Sequence, residues 1–148
     1  MNDTLAAVLQ KGVSVFDGLF DLLEDLEAAN IATAVASNGP MAKMQASLRP
    51  SGLWEWFDGR IYSGHVFAPK PAPDMLVHAM ADAKAKPSET VFIDDSPSGC
   101  RAGQAAGVKT FGFNPEGDTR NLANVGAIPA RAMREIQQAL SKIRASFE

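Results

Sequence analysis

Apolar and polar positions along the chain follow two alternating patterns. Between residues 18 and 29, leucines recur at helical spacing with acidic residues between them, which predicts an amphipathic helix. Residues 31–37, IATAVAS, form a short apolar run that predicts a buried strand. Further strands are predicted over 60–64, 90–94 and 108–113, and further helices after residue 39, over 73–84, after residue 96 and along the apolar stripe that begins at Met133.

Two prolines mark predicted helix starts. Gly39 and Pro40 predict an N-cap followed by the first helical residue, and Ser96 and Pro97 predict the same arrangement. Proline is tolerated at the first helical position because its missing N–H would have had no partner there. Strands therefore alternate with helices along the chain, which predicts an α/β fold with a mostly parallel sheet.

Composition and charge limit the classes of protein to which the chain can belong. The chain has 148 residues, 46% of them hydrophobic, so we expect a single domain over 1–148 with its own core. A net charge of -3 argues against a nucleic-acid partner. The apolar runs are far shorter than the ~20 residues that cross a bilayer, and the N-terminus lacks the features of a secretory signal, so no membrane partner is expected. The single cysteine, Cys100, excludes an internal disulfide and suits a cytoplasmic location.

Polar side chains follow the predicted strand ends. Asp94 and Asp95 end an apolar strand, where adjacent carboxylates are unfavourable unless a cation offsets them, and oxygen-rich sites of this kind suit Mg²⁺. Ser37 precedes a helix N-terminus, where a hydroxyl and backbone N–H groups can hold a phosphate. Lys70 lies in a proline-rich loop that could aim its ammonium group at an anion. Taken alone, each signal also fits an ordinary solvated turn or surface loop.

Taken together, a hydroxyl, a lysine and paired aspartates on successive strand ends resemble the haloacid dehalogenase superfamily. The resemblance extends over about residues 17–113, and SNGPMAKMQASL, KPAPDMLVHA and IDDSPSGCRAGQAAG are most similar to its sugar-phosphate branch, the 6-phosphogluconate phosphatase and β-phosphoglucomutase group. It implies a three-layer, Rossmann-like parallel sheet with helices on both faces. It also implies a small phosphorylated metabolite as the substrate.

The resemblance also implies a role for each candidate residue. Ser37 hydrogen-bonds the phosphoryl group, Asn38 orients that group through its amide, and Lys70 offsets its charge, which makes Ser37 and Lys70 the implied catalytic residues. Asp95 is the implied main ligand of a Mg²⁺ cofactor, and Asp94 supports it. In the superfamily an aspartate attacks phosphorus to form an aspartyl-phosphate, and a second aspartate two residues later acts as general acid and base.

The chain departs from the superfamily at its N-terminal end. It contains no D-x-D pair, and the helical cap that follows the nucleophile in the family has no counterpart. We therefore expect an N-terminally truncated core without the first strand and the cap, which binds Mg²⁺ weakly or not at all and is inactive as this chain. Whether the shortening is natural, and whether the chain is an enzyme, stays open. The alternative is a non-catalytic domain of the same fold that binds a phosphate ligand or a partner.

Asp17, in the stretch SVFDG, admits two interpretations. As the N-cap of helix 18–29 it is structurally ordinary. Alternatively, a strand over 13–16 fills the place of the nucleophile strand and Asp17 points into the site, although position 19 is Leu19 and supplies no second aspartate. A sheet without its first strand would leave buried backbone groups unpaired. We therefore expect repair by the chain's own N-terminal segment or by a homodimer.

Overall fold

The computed structural model describes residues 5–8 and 18–145. Among these residues six strands form one sheet: β1 (Leu5–Val8), β2 (Thr33–Ser37), β3 (Ile61–Ser63), β4 (Thr90–Asp94), β5 (Lys109–Phe113) and β6 (Ile128–Ala130). The helices are α1 (Leu19–Ala28), α2 (Met41–Leu48), α3 (Leu53–Trp56), α4 (Asp74–Ala83), α5 (Pro97–Ala106), α6 (Arg120–Ala123) and α7 (Met133–Ala145), with 3₁₀ turns at Arg49–Ser51 and Pro87–Glu89. No helix in these two ranges is long and apolar enough to cross a membrane.

The sheet is parallel throughout, in the order β3-β2-β1-β4-β5-β6. Its side chains alternate between two buried clusters. Val91 and Ile93 pack in one cluster with α1 and α7, whereas Phe92 between them packs in the other with α4 and α5. Helices therefore cover both faces, and the predicted three-layer, Rossmann-like α/β fold is confirmed. The carboxyl ends of the strands share one edge of the sheet, which is where such folds bind ligands.

Most element boundaries follow the apolar pattern. β4 spans the predicted residues 90–94, and the N-cap of α5 is Ser96, as predicted, since its hydroxyl accepts a hydrogen bond from the Gly99 N–H at 3.1 Å. The predicted start of α2 is wrong by one residue. Pro40, not Gly39, is the N-cap, because the ψ of Pro40 is 155° and only Met41 begins the helix.

The place between β2 and β4 is taken by β1, a segment in which no strand was predicted. β1 pairs with β2 at two positions and with β4 at four. The alternative strand over 13–16 lies outside the described residues. The chain's own N-terminal segment thus supplies backbone partners to both neighbouring strands, through Leu5–Val8. A homodimer stays a prediction.

The start of α1 differs from the sequence interpretation. Its N-cap is Gly18, at φ +83°, rather than Asp17. Glycine suits this left-handed backbone, and a Cβ here would come within 3.2 Å of the Met133 Cβ. Asp17 itself lies outside the described residues, so its suggested role as a nucleophile stays a prediction.

Candidate functional site

Lys70 brings an ammonium group to the carboxyl edge of the sheet from the loop between β3 and α4. Its Nζ lies 2.9 Å from Asp94 Oδ2 and donates to the carbonyl of Ala36 at 3.2 Å. The lysine side chain is 3% exposed. A buried ammonium requires charged and polar partners of this kind. The ring of Phe92 lies 5.7 Å from Nζ, within the range of a cation–π contact.

The ammonium group lies across the end of β1. The residues on either side of Ala36 make their backbone hydrogen bonds toward β3. Successive residues of a strand turn their backbone groups to opposite neighbours, so the Ala36 carbonyl faces β1. Asp94 ends β4 on the other side of β1. Lys70 therefore links the ends of the two strands that flank β1.

Asp94 is 1% exposed, and its carboxylate is surrounded by donors. Its Oδ1 accepts hydrogen bonds from the Ser96 N–H at 2.9 Å and the Ser96 hydroxyl at 3.0 Å, while Oδ2 accepts from Lys70. The first turn of α5 packs directly on this carboxylate, since a Cβ on Gly99 would lie 1.7 Å from Oδ2. Only glycine permits this approach, which brings the positive end of the helix close to the negative charge.

Asp95 follows Asp94 at the strand end and is partly buried, and the charges of both carboxylates act on Lys70. Within residues 5–8 and 18–145, no group of three or more His, Cys, Asp or Glu residues is suited to a metal ion. Because Mg²⁺ demands a near-octahedral set of oxygens and donors of the chain already surround Asp94, the described residues alone do not fit a complete Mg²⁺ site. The assignment of Asp95 and Asp94 as Mg²⁺ ligands stays a prediction.

Ser37 and Asn38 leave β2 beside the lysine. The Ser37 hydroxyl accepts the Gly39 N–H at 3.1 Å, and an accepting hydroxyl keeps its own hydrogen for a further partner. The Asn38 Oδ1 accepts the backbone N–H of Lys70 at 2.7 Å, and its Nδ2 donates to the Lys70 carbonyl at 3.2 Å. The amide expected to orient a phosphoryl group is thus hydrogen-bonded to both backbone groups of Lys70.

Two residues that shape the site were not predicted, Ser63 and Gly64 at the end of β3. The Ser63 side chain is buried, and its hydroxyl donates to the Gly39 carbonyl at 2.7 Å. A Cβ on Gly64 would come within 2.9 Å of the Asn38 Cα. The sequence did carry a signal, because IYSG ends in a serine and a glycine much as VASNG does. In the sheet Ser63 pairs with Ser37.

Burial alters the ionisation of two groups here. It lowers the pKa of Lys70, and the adjacent Asp94 carboxylate acts in the opposite direction. Burial, together with the charge of Asp94, raises the pKa of the Cys100 thiol on α5 to about 12. The thiol is therefore protonated at neutral pH and does not supply a nucleophile.

The fold and this site together define an α/β protein with charged and polar side chains gathered at the carboxyl edge of its sheet. A buried ammonium group, a serine hydroxyl at a strand end and the start of α2 just beyond it are the groups that proteins use for phosphate. A model of the family described as haloacid dehalogenase-like hydrolase matches residues 1–113. The chain belongs to this family.

Curated relatives agree with the resemblance to the sugar-phosphate branch. The chain is 30% identical to a 6-phosphogluconate phosphatase of Escherichia coli over 67% of this chain and 47% of that one. It is 29% identical to an N-acetylmuramic acid 6-phosphate phosphatase of Pseudomonas putida over 72% of this chain and 50% of that one. The chain thus spans about half the length of these relatives.

Solved structures agree with the fold. A haloacid dehalogenase family hydrolase from Deinococcus radiodurans, solved with bound phosphate and sodium, has a TM-score of 0.81 at 29% identity, over 86% of this chain and 59% of that one. A haloacid dehalogenase-like protein from Agrobacterium tumefaciens has a TM-score of 0.77 at 26% identity, over 90% of this chain and 61% of that one.

Proposed function

We propose that this chain is the core of a phosphatase or phosphomutase that acts on small sugar phosphates. The observation that carries the proposal is the buried pair of Lys70 and Asp94 across the ends of the strands that flank β1. A fixed positive charge at this edge supports the binding of a phosphoryl group. The names of the two curated phosphatases support a sugar phosphate as the substrate class.

In this proposal Ser37 donates its hydroxyl hydrogen to a phosphoryl oxygen, and Lys70 offsets the charge of the group. Mg²⁺, which in general neutralises phosphoryl oxygens, is expected to bind weakly or not at all, and Asp95 would be its main ligand with Asp94 as support. Weak or absent binding is expected because the carboxylate oxygens of Asp94 already accept hydrogen bonds from Ser96 and Lys70. The proposed location is the cytoplasm.

The nucleophile is the missing part of the mechanism. An aspartyl-phosphate requires an attacking carboxylate, yet the sequence has no D-x-D pair, and residues 9–13 that follow β1 contain no aspartate or glutamate. We therefore expect this chain to hold a phosphate without hydrolysing its ester. The same observation favours the alternative, a non-catalytic domain that binds a phosphate ligand or a partner, possible partners including a second copy of the chain.

A binding experiment tests the phosphate site. Inorganic phosphate and 6-phosphogluconate are titrated into the wild-type chain and into Ser37→Ala, Lys70→Met and their surface controls Ser141→Ala and Lys109→Met, with binding followed by calorimetry and ³¹P NMR. Lys109 is exposed at the first residue of β5, at the end of that strand opposite the carboxyl edge where the site lies, and Ser141 is exposed on α7. We expect Ser37→Ala to weaken binding about tenfold, since it removes a hydrogen bond to a charged group.

An activity assay tests the expected inactivity of this chain. We expect phosphate release from 6-phosphogluconate to stay at background with and without Mg²⁺. Robust turnover that disappears in Asp17→Asn would contradict the expected inactivity and would assign Asp17 as the nucleophile. A folded wild-type chain that binds neither phosphate nor the sugar phosphate would contradict the phosphate site and leave only a partner-binding domain.

A further inference from the structure

We propose that Asn38 is a positioning residue, whose amide group clamps the backbone of Lys70 and so fixes where the lysine ammonium lies. The inference rests on the proposed phosphate site, and it assigns Asn38 to the lysine instead of to the phosphoryl group. Its basis is that one side chain bonds both backbone groups of a residue 32 positions away.

Lys70 needs such a clamp because of the segment in which it lies. Between β3 and α4 the chain forms neither strand nor helix, so no ladder of backbone hydrogen bonds fixes this loop. A lysine side chain is long, and ordering it carries a large loss of rotamer entropy. Bonds to the N–H and to the carbonyl of Lys70 restrict both the position and the orientation of its backbone. The remaining side chain then reaches Ala36 and Asp94 from a defined starting point.

The clamp is itself attached to the sheet. The carbonyl of Gly39, the residue after Asn38, accepts a hydrogen bond from the buried Ser63 hydroxyl at 2.7 Å, and its N–H donates to Ser37 Oγ at 3.1 Å. Gly64 lies so close to the Asn38 backbone that no side chain fits between them. The ends of two neighbouring strands therefore hold Asn38, and through Asn38 they hold the loop.

The exposure of Asn38 distinguishes this positioning role from a role in packing the core. Asn38 is exposed, whereas Lys70 is buried. An exposed side chain contributes little apolar burial to the stability of the fold. A substitution at Asn38 therefore acts mainly by removing its two hydrogen bonds to Lys70.

The chain offers a matched control for the test. Asn114 also uses both ends of its amide on the backbone of a loop, but on two nearby residues: its Nδ2 donates to the Asp118 carbonyl at 2.7 Å, and its Oδ1 accepts the Glu116 N–H at 2.9 Å. We would compare wild type, Asn38→Ala, Asn38→Asp and Asn114→Ala in the full chain. Two measurements are made: amide hydrogen exchange at Lys70 by NMR, and affinity for inorganic phosphate by ³¹P NMR.

We expect Asn38→Ala to accelerate exchange of the Lys70 amide about tenfold, as the loss of one hydrogen bond predicts. Amides elsewhere, such as that of the buried Val108, stay protected, which shows that the fold is intact. Asn38→Asp keeps the acceptor oxygen and therefore keeps the Lys70 amide protected. Phosphate affinity falls about tenfold in Asn38→Ala, since the ammonium group is no longer held, and Asn114→Ala changes neither measurement.

Three results would overturn the inference: a Lys70 amide that stays protected in Asn38→Ala, an equal loss of protection in Asn38→Asp, or unchanged phosphate affinity in Asn38→Ala despite the loss of protection. The proposed function has a separate point of failure. If the wild-type chain binds no phosphate, the phosphate site is wrong, and with it the positioning role toward a ligand. Exchange at Lys70 then still shows whether the clamp itself exists.

Discussion

The buried pair of Lys70 and Asp94 has an exposed counterpart in the same chain. Comparing variants of the two pairs shows how burial changes the effect of losing one partner on the free energy of unfolding. The counterpart is the pair of Arg120 and Asp118, with a similar contact of 3.0 Å but side chains that are 87% and 61% exposed. We expect Lys70→Met to lower the free energy of unfolding by about 3–5 kcal/mol, because it leaves the Asp94 carboxylate buried without its cation. Arg120→Met should leave urea unfolding unchanged, since water and salt screen a surface pair.

The double variant Lys70→Met/Asp94→Leu checks the physical reason. It leaves neither charge in the interior, so we expect it to recover part of the stability that Lys70→Met loses. A double variant less stable than Lys70→Met would mean that the hydrogen bonds from Ser96 to Asp94 outweigh the cost of burying its carboxylate without the lysine. Equal effects of Lys70→Met and Arg120→Met would contradict the burial argument.

The residues of the site differ in how far the sequence could predict them. Ser37, Lys70 and Asp94 follow strand ends, and the alternation of apolar runs and turns predicts where those ends lie. The contact between Asn38 and Lys70 joins residues far apart in the chain, and a local pattern carries no information about it. Ser63 was missed because a serine at the end of a three-residue strand is common in ordinary turns.

Among the elements, α5 depends on a single glycine for its position over Asp94. A Cβ at position 99 would overlap the carboxylate, so Gly99→Ala forces α5 and the end of β4 apart. We expect a loss of about 1–3 kcal/mol, the usual range for overpacking, together with weaker phosphate binding. Ser98→Ala, one position earlier in the same helix, is the control, and urea unfolding with ³¹P NMR provides both measurements. Unchanged stability in Gly99→Ala would contradict the close packing of helix on carboxylate.

A second prediction at the scale of elements concerns the short strand β1. Ala7 lies in the centre of the sheet and pairs with residues of both β2 and β4. Proline there removes a backbone donor and leaves a partner carbonyl unsatisfied, so Ala7→Pro should lower the free energy of unfolding by about 1–3 kcal/mol. The control is Ile128→Pro, at the first residue of the edge strand β6, where proline is tolerated. Equal stability of Ala7→Pro and wild type would show that β1 does not pair in solution.

The strands that were not predicted are those whose local sequence has little strand propensity, so that pairing with neighbouring strands decides whether they form. β1 has four residues, two of them alanines, which have low strand propensity, and only pairing with β2 and β4 makes it a strand. β6 has three residues with a proline in the middle. By contrast, β4 is a run of buried residues on both faces of the sheet, so its bounds follow from the sequence alone.

For the molecule as a whole, stability at alkaline pH depends on groups that hold protons more firmly when folded. Burial and then the hydrogen bond to Asp82 raise the pKa of Tyr62, and burial raises the pKa of Cys100 to about 12. Above their ordinary pKa values the unfolded chain loses these protons while the folded chain keeps them, so the free energy of unfolding falls as pH rises. Lys70 acts oppositely, because its pKa is lowered in the folded chain.

Tyr62→Phe isolates one of these contributions, because Cys100 and Lys70 titrate in both proteins and cancel in the difference. At about pH 8 the tyrosine is protonated in both states, and we expect the variant to be less stable by about 1 kcal/mol for the lost hydrogen bond to Asp82. As pH rises through about 10, the ordinary tyrosine pKa, only the unfolded wild type ionises, so the difference should shrink. Urea unfolding at intervals between these values measures it, and a difference that stays constant would show that folding does not raise the pKa of Tyr62.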